Sequence, residues 1–114
     1  AKVIEEVRNH TTEVSGTPYY MSPEQTLGKN VDHRTDIYSL GVSVFEMATG
    51  GLPFTEGNLP YHHVHTPPPD PLEVVPDLPA VIAQIIERCM RKDPEERYQN
   101  ARELLAELRA APIT

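Results

Sequence analysis

The sequence is poor in residues that stabilise small secreted or metal-bound domains. Its 114 residues include no tryptophan and a single cysteine, Cys89. One cysteine excludes an internal disulfide and any metal site built from several cysteines. Because Cys89 lies on an apolar stripe at helical spacing, we predict a core residue rather than a nucleophile. No apolar run approaches the roughly 20 residues of a membrane span, and the first residues lack a signal-peptide pattern.

Basic residues are also scarce. Asp and Glu number 17 against 10 Lys and Arg, which gives a formal net charge of −7. Nucleic acids and anionic membrane surfaces bind basic faces, so neither is expected as a partner of this segment. Hydrophobic residues make up 39% and charged residues 24% of the chain, which places it among globular rather than disordered sequences. We therefore expect one modest globular domain.

Hydrophobic periodicity and capping residues predict a mainly α fold of about four helices. The longest predicted helix is apolar on almost every side, which is typical of a helix at the centre of a larger protein. Ser22 and Gln25 can form a capping box around Pro23, which suits the first helical position. The N-terminal residues show no helical stripe, and an extended or mobile loop is expected there. The helices are predicted over residues 23–28, 34–49, 79–91 and 101–111.

Residues 55–78 contain six prolines. Because proline disrupts helix interiors, this stretch is predicted to be mostly loop, with at most one turn at Tyr61–Val64. A stiff surface connector is favoured over a partner-binding polyproline helix. His62, His63 and His65 lie here, but zinc needs three or four converging ligands, so a solvated loop is favoured over a metal site.

Four short segments, spread over nearly the whole chain, form the strongest functional signal. Each alone is a weak or moderate signal, but four in order are strong. They are Gly16-Thr17 with Ser22-Pro23-Glu24, Asp36-Ile37-Tyr38-Ser39-Leu40-Gly41-Val42, Thr49-Gly50-Gly51-Leu52-Pro53-Phe54, and Cys89-Met90-Arg91-Lys92-Asp93-Pro94-Glu95-Glu96-Arg97-Tyr98. Together they resemble the large lobe of serine/threonine protein kinases, and most of all bacterial kinases of the eukaryotic type.

This resemblance implies a division of the chain. Residues 1–114 correspond to a partial kinase domain that begins within the activation segment. Residues 1–25 correspond to the activation segment and substrate-docking loop, and residues 26–111 to a helical subdomain. The expected fold is therefore a kinase-like large-lobe fragment with an extended N-terminal loop.

The resemblance also implies roles for residues of the docking loop. In the family, the residue corresponding to Thr17 lies in the loop that receives the substrate residue after the phosphorylated one. Its hydroxyl hydrogen-bonds the catalytic Asp and Lys and helps to position the base. Pro18, Tyr19, Tyr20 and Met21 would shape the docking surface.

Thr11 and Thr12 correspond to positions where such kinases often carry activating phosphates. A phosphate adds nearly two negative charges and orders a loop by pairing with arginine. Thr11 is slightly favoured over Thr12, and the alternative is that both are plain loop threonines.

Three residues have implied structural roles. Glu24 and Arg97 resemble the family's buried ion pair between the end of the activation segment and the last helices. Asp36 resembles the residue of the central helix that accepts hydrogen bonds from backbone amides of the catalytic loop. The alternative for Asp36 is a simple helix cap, favoured by the helix dipole.

The sequence lacks the residues that perform phosphoryl transfer. That chemistry requires a Gly-rich loop, a strand Lys with its Glu partner, a catalytic Asp with a metal-binding Asn, and Asp-Phe-Gly. His33-Arg34-Thr35-Asp36 has one residue too many for the catalytic His-Arg-Asp loop. We therefore predict no catalytic residue, no ATP or magnesium site and no kinase activity in this chain alone. ATP and magnesium are expected for an intact parent, which would phosphorylate Ser or Thr of protein substrates.

Two functional classes stay open at this point. The first is a fragment of a serine/threonine kinase; the second is a non-catalytic binding or scaffold module derived from a degenerate or truncated kinase. The segment is expected in the cytoplasm, while the parent could be membrane-anchored. Without the rest of the lobe the apolar central helix would be exposed, which predicts self-association through that helix.

Overall fold

The computed structural model describes residues 18–110, which form six α-helices, two single-turn 3₁₀ helices and no strand. The predicted mainly α fold is confirmed, but the described residues contain six α-helices rather than about four. The α-helices are α1 (Pro23–Leu27), α2 (His33–Thr49), α3 (Leu59–His65), α4 (Pro71–Val74), α5 (Ala80–Cys89) and α6 (Ala101–Ala110). The 3₁₀ helices span Pro18–Tyr20 and Pro94–Glu96.

Helix α1 begins and ends at the residues that the sequence indicated. The Ser22 hydroxyl accepts a hydrogen bond from the Gln25 backbone N–H at 3.2 Å, and the Gln25 side chain accepts one from the Ser22 N–H at 2.9 Å. Pro23 occupies the first helical position. Gly28 ends the helix at a φ of 66°, in the left-handed region that glycine adopts without steric cost.

The prediction of at most one turn within residues 55–78 is wrong, because α3 and α4 lie within them and make 11 of the 24 residues helical; the other 13 are loop, as predicted. Both helices have a proline in the first turn, where backbone N–H groups have no partner within the helix and the missing N–H of proline therefore costs nothing. The Asn58 side chain caps α3 by accepting a hydrogen bond from the Tyr61 N–H at 3.1 Å. Pro60 and Pro71 therefore begin helices instead of interrupting them.

The long helix α2 lies at the centre and packs closely on α5. At Gly41 the two helices come so near that an added Cβ would lie 2.6 Å from the Cβ of Cys89 and 2.9 Å from the Cγ of Met90. Cys89 is fully buried, and burial raises the pKa of its thiol, so its prediction as a core residue is confirmed. The core consists of two clusters: Tyr20, Tyr38, Val42, Phe45, Ile86 and Met90, then Ile37, Val81, Ile85, Cys89, Tyr98 and Leu104.

Helix α2 exposes fewer apolar side chains to solvent than its apolar sequence suggested. Met47 is 57% exposed, whereas Leu40 and Val44 are half-buried. None of the helices between residues 18 and 110 is long and apolar enough to cross a membrane.

Candidate functional site

The residues that the sequence indicated as a docking surface form a short segment before α1. We call Pro18–Met21 the docking segment. Pro18 and Tyr19 are exposed and Met21 is half-buried. Tyr20 differs from the other three, because its side chain is only 6% exposed and belongs to the core. Tyr20 therefore anchors the segment, and the accessible side of the docking segment lies at Pro18 and Tyr19.

Two hydrogen bonds connect Tyr20 to the central helix. The Ser39 hydroxyl donates to the Tyr20 carbonyl oxygen at 2.7 Å, and the Tyr20 hydroxyl donates to the Glu46 carboxylate. Burial and the adjacent Glu46 carboxylate raise the pKa of Tyr20 to about 12, so its hydroxyl stays protonated and remains a donor. The inner end of the docking segment is thus fixed to α2 through both backbone and side chain.

Glu24 and Arg97 meet as a buried ion pair immediately beyond the docking segment. Arg97 Nη1 donates to Glu24 Oε2 at 2.6 Å and Arg97 Nη2 donates to Glu24 Oε1 at 2.8 Å. Arg97 is fully buried and Glu24 is 6% exposed. Burial alone would raise the pKa of Glu24, but the hydrogen bonds from Arg97 and Thr35 outweigh it and leave that pKa below its ordinary value. The Glu24 carboxylate is therefore ionised at neutral pH.

The remaining N–H groups of Arg97 bind backbone carbonyls. Nε donates to Arg91 at 2.7 Å, Nη1 also donates to Arg34 at 2.9 Å, and Nη2 also donates to Lys92 at 3.2 Å. All five guanidinium N–H groups are thus used. Because these partners lie in α1, in α2 and after α5, a single side chain joins the three regions that support the docking segment.

Thr35 completes the environment of Glu24, and sequence reasoning did not single it out for this role. Its hydroxyl donates to Glu24 Oε2 at 2.7 Å, and the Ser22 hydroxyl lies 3.4 Å from it. Thr35 is buried in the first turn of α2. A small hydroxyl residue one position before Asp36, on the buried side of an apolar helix, is the signal that could have identified it.

Asp36 does not cap α2. The cap is Asp32, whose carboxylate accepts a hydrogen bond from the Arg34 N–H at 2.8 Å, so the cap interpretation of Asp36 is wrong. Asp36 lies one turn further on and is exposed. Its side chain makes no hydrogen bond within residues 18–110, and its carboxylate is accessible at the N-terminal end of the central helix.

The three histidines of the Pro-rich stretch lie on a helix, and the prediction of a solvated loop is wrong for His63, which is fully buried. The His62 ring stacks on Phe54 at 5.4 Å between centroids and hydrogen-bonds the Thr66 hydroxyl at 2.9 Å, whereas His65 is exposed. Among the described residues, no three His, Cys, Asp or Glu side chains come together as metal ligands.

The candidate residues Thr11, Thr12 and Thr17 lie outside the described residues, as do the first part of the activation segment and the extended loop predicted there. The phosphorylation sites and the Thr17 hydroxyl therefore stay predictions. Of the docking loop, the structure describes the four residues that follow Thr17.

Comparison with known proteins identifies the family. The protein kinase domain family matches residues 1–108. A probable serine/threonine-protein kinase of Clostridium acetobutylicum is 45% identical over 101 residues, covering 86% of this chain and 15% of that protein. The serine/threonine-protein kinase Pkn1 of Myxococcus xanthus is 43% identical over 94 residues, covering 80% and 14%. PknB of Mycobacterium tuberculosis is 42% identical over 102 residues, covering 86% and 16%.

The chain thus spans about one seventh of the length of these relatives, all of which are serine/threonine kinases. The matched region includes the docking segment, the Glu24–Arg97 pair and the central helix. The chain belongs to the protein kinase domain family, as a helical fragment homologous to bacterial serine/threonine kinases.

Proposed function

We propose that this chain is the substrate-docking and structural base of a serine/threonine kinase domain. The whole protein would transfer the γ-phosphate of ATP to Ser or Thr residues of protein substrates. The observation that carries the proposal is the docking segment itself, whose exposed outer end is held on a rigid helical support. Tyr20 is tied to α2, and the next helix is fixed by the Glu24–Arg97 pair.

The geometry suits recognition of an extended peptide. Pro18 and Tyr19 offer an apolar, partly rigid surface, because proline restricts its own backbone. Thr17 directly precedes them in the sequence. In this proposal the Thr17 hydroxyl would hydrogen-bond a catalytic Asp and Lys supplied by the rest of the kinase, and so would align the attacking substrate hydroxyl.

The accessible carboxylate of Asp36 supports a second part of the proposal. A carboxylate offers two acceptor oxygens for charge-assisted hydrogen bonds from backbone N–H groups, and a position near a helix N-terminus favours negative charge. We assign it to binding the backbone amides of the catalytic loop. Asp36→Asn should then lower phosphoryl transfer while leaving the melting temperature of the 114-residue chain nearly unchanged, because the partner lies outside that chain.

The direct test uses the protein encoded by the complete reading frame. Purified protein is incubated with magnesium and γ-labelled ATP, and phosphate transfer to Ser/Thr peptides is measured. Thr17→Ala should lower kcat by about tenfold or more, whereas Thr17→Ser, which keeps the hydroxyl, should retain most activity. Absence of transfer by the unmodified protein, with peptide binding retained, would favour the non-catalytic binding module instead.

The isolated 114-residue chain provides a complementary test. Its sequence contains none of the family motifs that hold ATP and its metal ions, so we expect neither ATP binding nor ATP hydrolysis. Magnesium-dependent hydrolysis by the purified chain would contradict this assignment.

Phosphorylation of the activation segment can be mapped on the same complete protein. We expect phosphate on Thr11, and on Thr12 to a smaller extent, after incubation with ATP. Mass spectrometry of the peptide containing both residues distinguishes them, and Thr11→Ala should lower activity if its phosphate orders the segment. An unphosphorylated peptide from fully active protein would show that both are ordinary loop residues.

A further inference from the structure

His63 is a buried polar residue with an incomplete set of partners. It lies on α3 and is fully buried. Its Nδ1 is 2.8 Å from the Tyr38 hydroxyl. Its Nε2 has no hydrogen-bond partner within the described part of the chain. A buried nitrogen of this kind costs free energy, and such groups in native proteins usually have a reason.

The outer end of the docking segment lies beside the His63 ring, where the Pro18–Tyr20 turn packs against α3. Since the Tyr38 hydroxyl occupies Nδ1, Nε2 is the nitrogen left for these backbone groups. Backbone carbonyl groups of Pro18 and Tyr19 are close enough to favour the protonated form of His63, although neither lies within hydrogen-bond geometry. Burial dominates over these carbonyls, and with the nearby Lys92 and His62 it lowers the pKa of His63 to about 4. The imidazole is therefore neutral near neutral pH and carries one proton.

The surroundings decide which nitrogen carries that proton. Carbonyl oxygens only accept, so a bare Nε2 lone pair facing Pro18 and Tyr19 would be repelled. A proton on Nε2 instead provides a donor directed at them. Nδ1 is then the acceptor, and the Tyr38 hydroxyl donates to it. This arrangement also uses the donor of Tyr38, whose phenol stays protonated because burial raises its pKa.

We propose that His63 is a positioning residue for substrate binding, whose Nε2–H forms a hydrogen bond with the Pro18 or Tyr19 carbonyl when a peptide occupies the docking segment. This inference rests on the proposed function of that segment. In the free chain the donor is unpaired. A hydrogen bond from this Nε2–H in the complex stabilises the peptide-bound arrangement. Its free energy contributes to peptide binding rather than to the chemical step. It should therefore change KM more than kcat.

The two ring nitrogens can be tested separately with amide side chains. In the complete kinase, His63→Asn places an amide near the Nδ1 position and retains a partner for Tyr38, but it is too short to reach the docking segment. His63→Gln places an amide near the Nε2 position and keeps that donor. Because one hydrogen bond is at stake, we expect Asn to raise the peptide KM about five- to tenfold with kcat within about twofold, and Gln to stay within about threefold of the parent.

The matched control is His65→Asn, since His65 is exposed on the same helix. Its KM should equal that of the parent. Equal KM increases for the Asn and Gln variants, or a fall in kcat without a change in KM, would overturn the positioning role. A merely structural His63 would give those patterns, because both variants would then disturb the same packing.

A second measurement needs no variant and no kinase activity. Nitrogen-15 NMR of the histidine rings in the 114-residue chain reports which nitrogen carries the proton. We expect His63 to be protonated on Nε2 and bare on Nδ1. The opposite tautomer would refute the inference even in an active kinase. If the complete protein proves inactive, the proposed function fails, while the tautomer still decides the arrangement around His63.

Discussion

Replacing Arg97 by methionine should destabilise the protein strongly. Methionine fills much of the same volume without a charge, so the variant tests the ion pair rather than a cavity. The change leaves the Glu24 carboxylate, which is 6% exposed, without its main partner. It also removes the donors to three backbone carbonyls. Breaking a buried pair from one side costs about 3–5 kcal/mol, because the other charge stays buried and unpaired.

Urea unfolding gives the loss of unfolding free energy and thermal unfolding gives the melting temperature, both followed by circular dichroism. The melting temperature should fall by more than about 10 °C, since 1 kcal/mol shifts the melting temperature of a small domain by roughly 4–8 °C. Arg109→Met is the matched control, because Arg109 is exposed on α6 and its substitution should change stability by less than about 0.5 kcal/mol. An unchanged melting temperature of the Arg97→Met variant would refute the structural role of the pair.

A second substitution identifies the stranded charge as the cause. Adding Glu24→Gln to Arg97→Met removes the unpaired carboxylate, and should recover about 1–2 kcal/mol of the loss. If the double variant is no more stable than Arg97→Met, then packing or the carbonyl donors account for the loss, and the electrostatic reasoning is wrong.

The pH dependence of stability provides an independent test of the Glu24–Arg97 pair, because the direction of the change with pH can be predicted. In the parent, the folded-state pKa of Glu24 lies below its ordinary value of 4.5, so its stabilising contribution is present above that pH and is lost as pH falls through the folded-state pKa. In Arg97→Met, burial without the partner raises the folded-state pKa above the unfolded one. Lowering the pH from about 7 to about 5 should then reduce the stability difference between variant and parent.

Three further predictions concern packing, protonation and association. Gly41→Ala should destabilise by about 1–2 kcal/mol, because overpacking against Cys89 outweighs the helix propensity gained; in the same urea assay Gly51→Ala, which has open space, should be nearly neutral. The folded-state pKa of His63 is about 4 against 6.5 in the unfolded chain, so unfolding takes up a proton between these values. Stability should thus fall by up to about 3 kcal/mol as pH drops through that window, and His63→Gln should lack this part of the slope. Self-association through α2 should appear in sedimentation equilibrium and weaken in Met47→Lys; a monomer at high concentration would contradict it.

Local signals predicted the helix ends well. The capping box at Ser22 and the stop at Gly28 depend on residues within one turn, so the sequence alone contains the information. The same principle explains the error at α3 and α4. Proline breaks a helix in its interior, whereas Asn58-Leu59-Pro60 and Asp70-Pro71 are start signals with a capping side chain. Position within the first turn, not proline content, decides between the two outcomes.

Contacts between residues distant in the sequence differ in whether any sequence signal suggested them. Glu24 and Arg97 are 73 residues apart, and no periodicity or spacing connects them; only resemblance to a known family suggested the pair. For the burial of His63, neither local spacing nor family resemblance provided a signal. Its burial depends on α3 packing beside the docking segment and on the position of Tyr38, so an isolated reading of adjacent histidines among prolines favours solvent exposure. Burial of a polar residue depends on tertiary packing. Here the buried residue, His63, lies outside the family motifs that identified the rest of the site.

The site is organised by one turn of the central helix. Thr35, Tyr38 and Ser39 have the i, i+3, i+4 spacing that places side chains on one helix face. Thr35 binds Glu24, and Ser39 binds the Tyr20 carbonyl. Tyr38 does two things, since its ring lies 5.0 Å from the Arg97 guanidinium and its hydroxyl binds His63.

These three residues are all buried, within a helix that is otherwise apolar on most sides. Buried hydroxyl groups cost free energy unless they are hydrogen-bonded, so a helix that served only as a core would gain from apolar residues at these positions. Their partners lie in the docking segment, in the ion pair behind it and in the helix beside it. The polar face of α2 therefore connects the docking segment to the ion pair on one side and to His63 on the other. Because Tyr38 contacts both Arg97 and His63, a substitution at one of these two residues should alter the environment of the other.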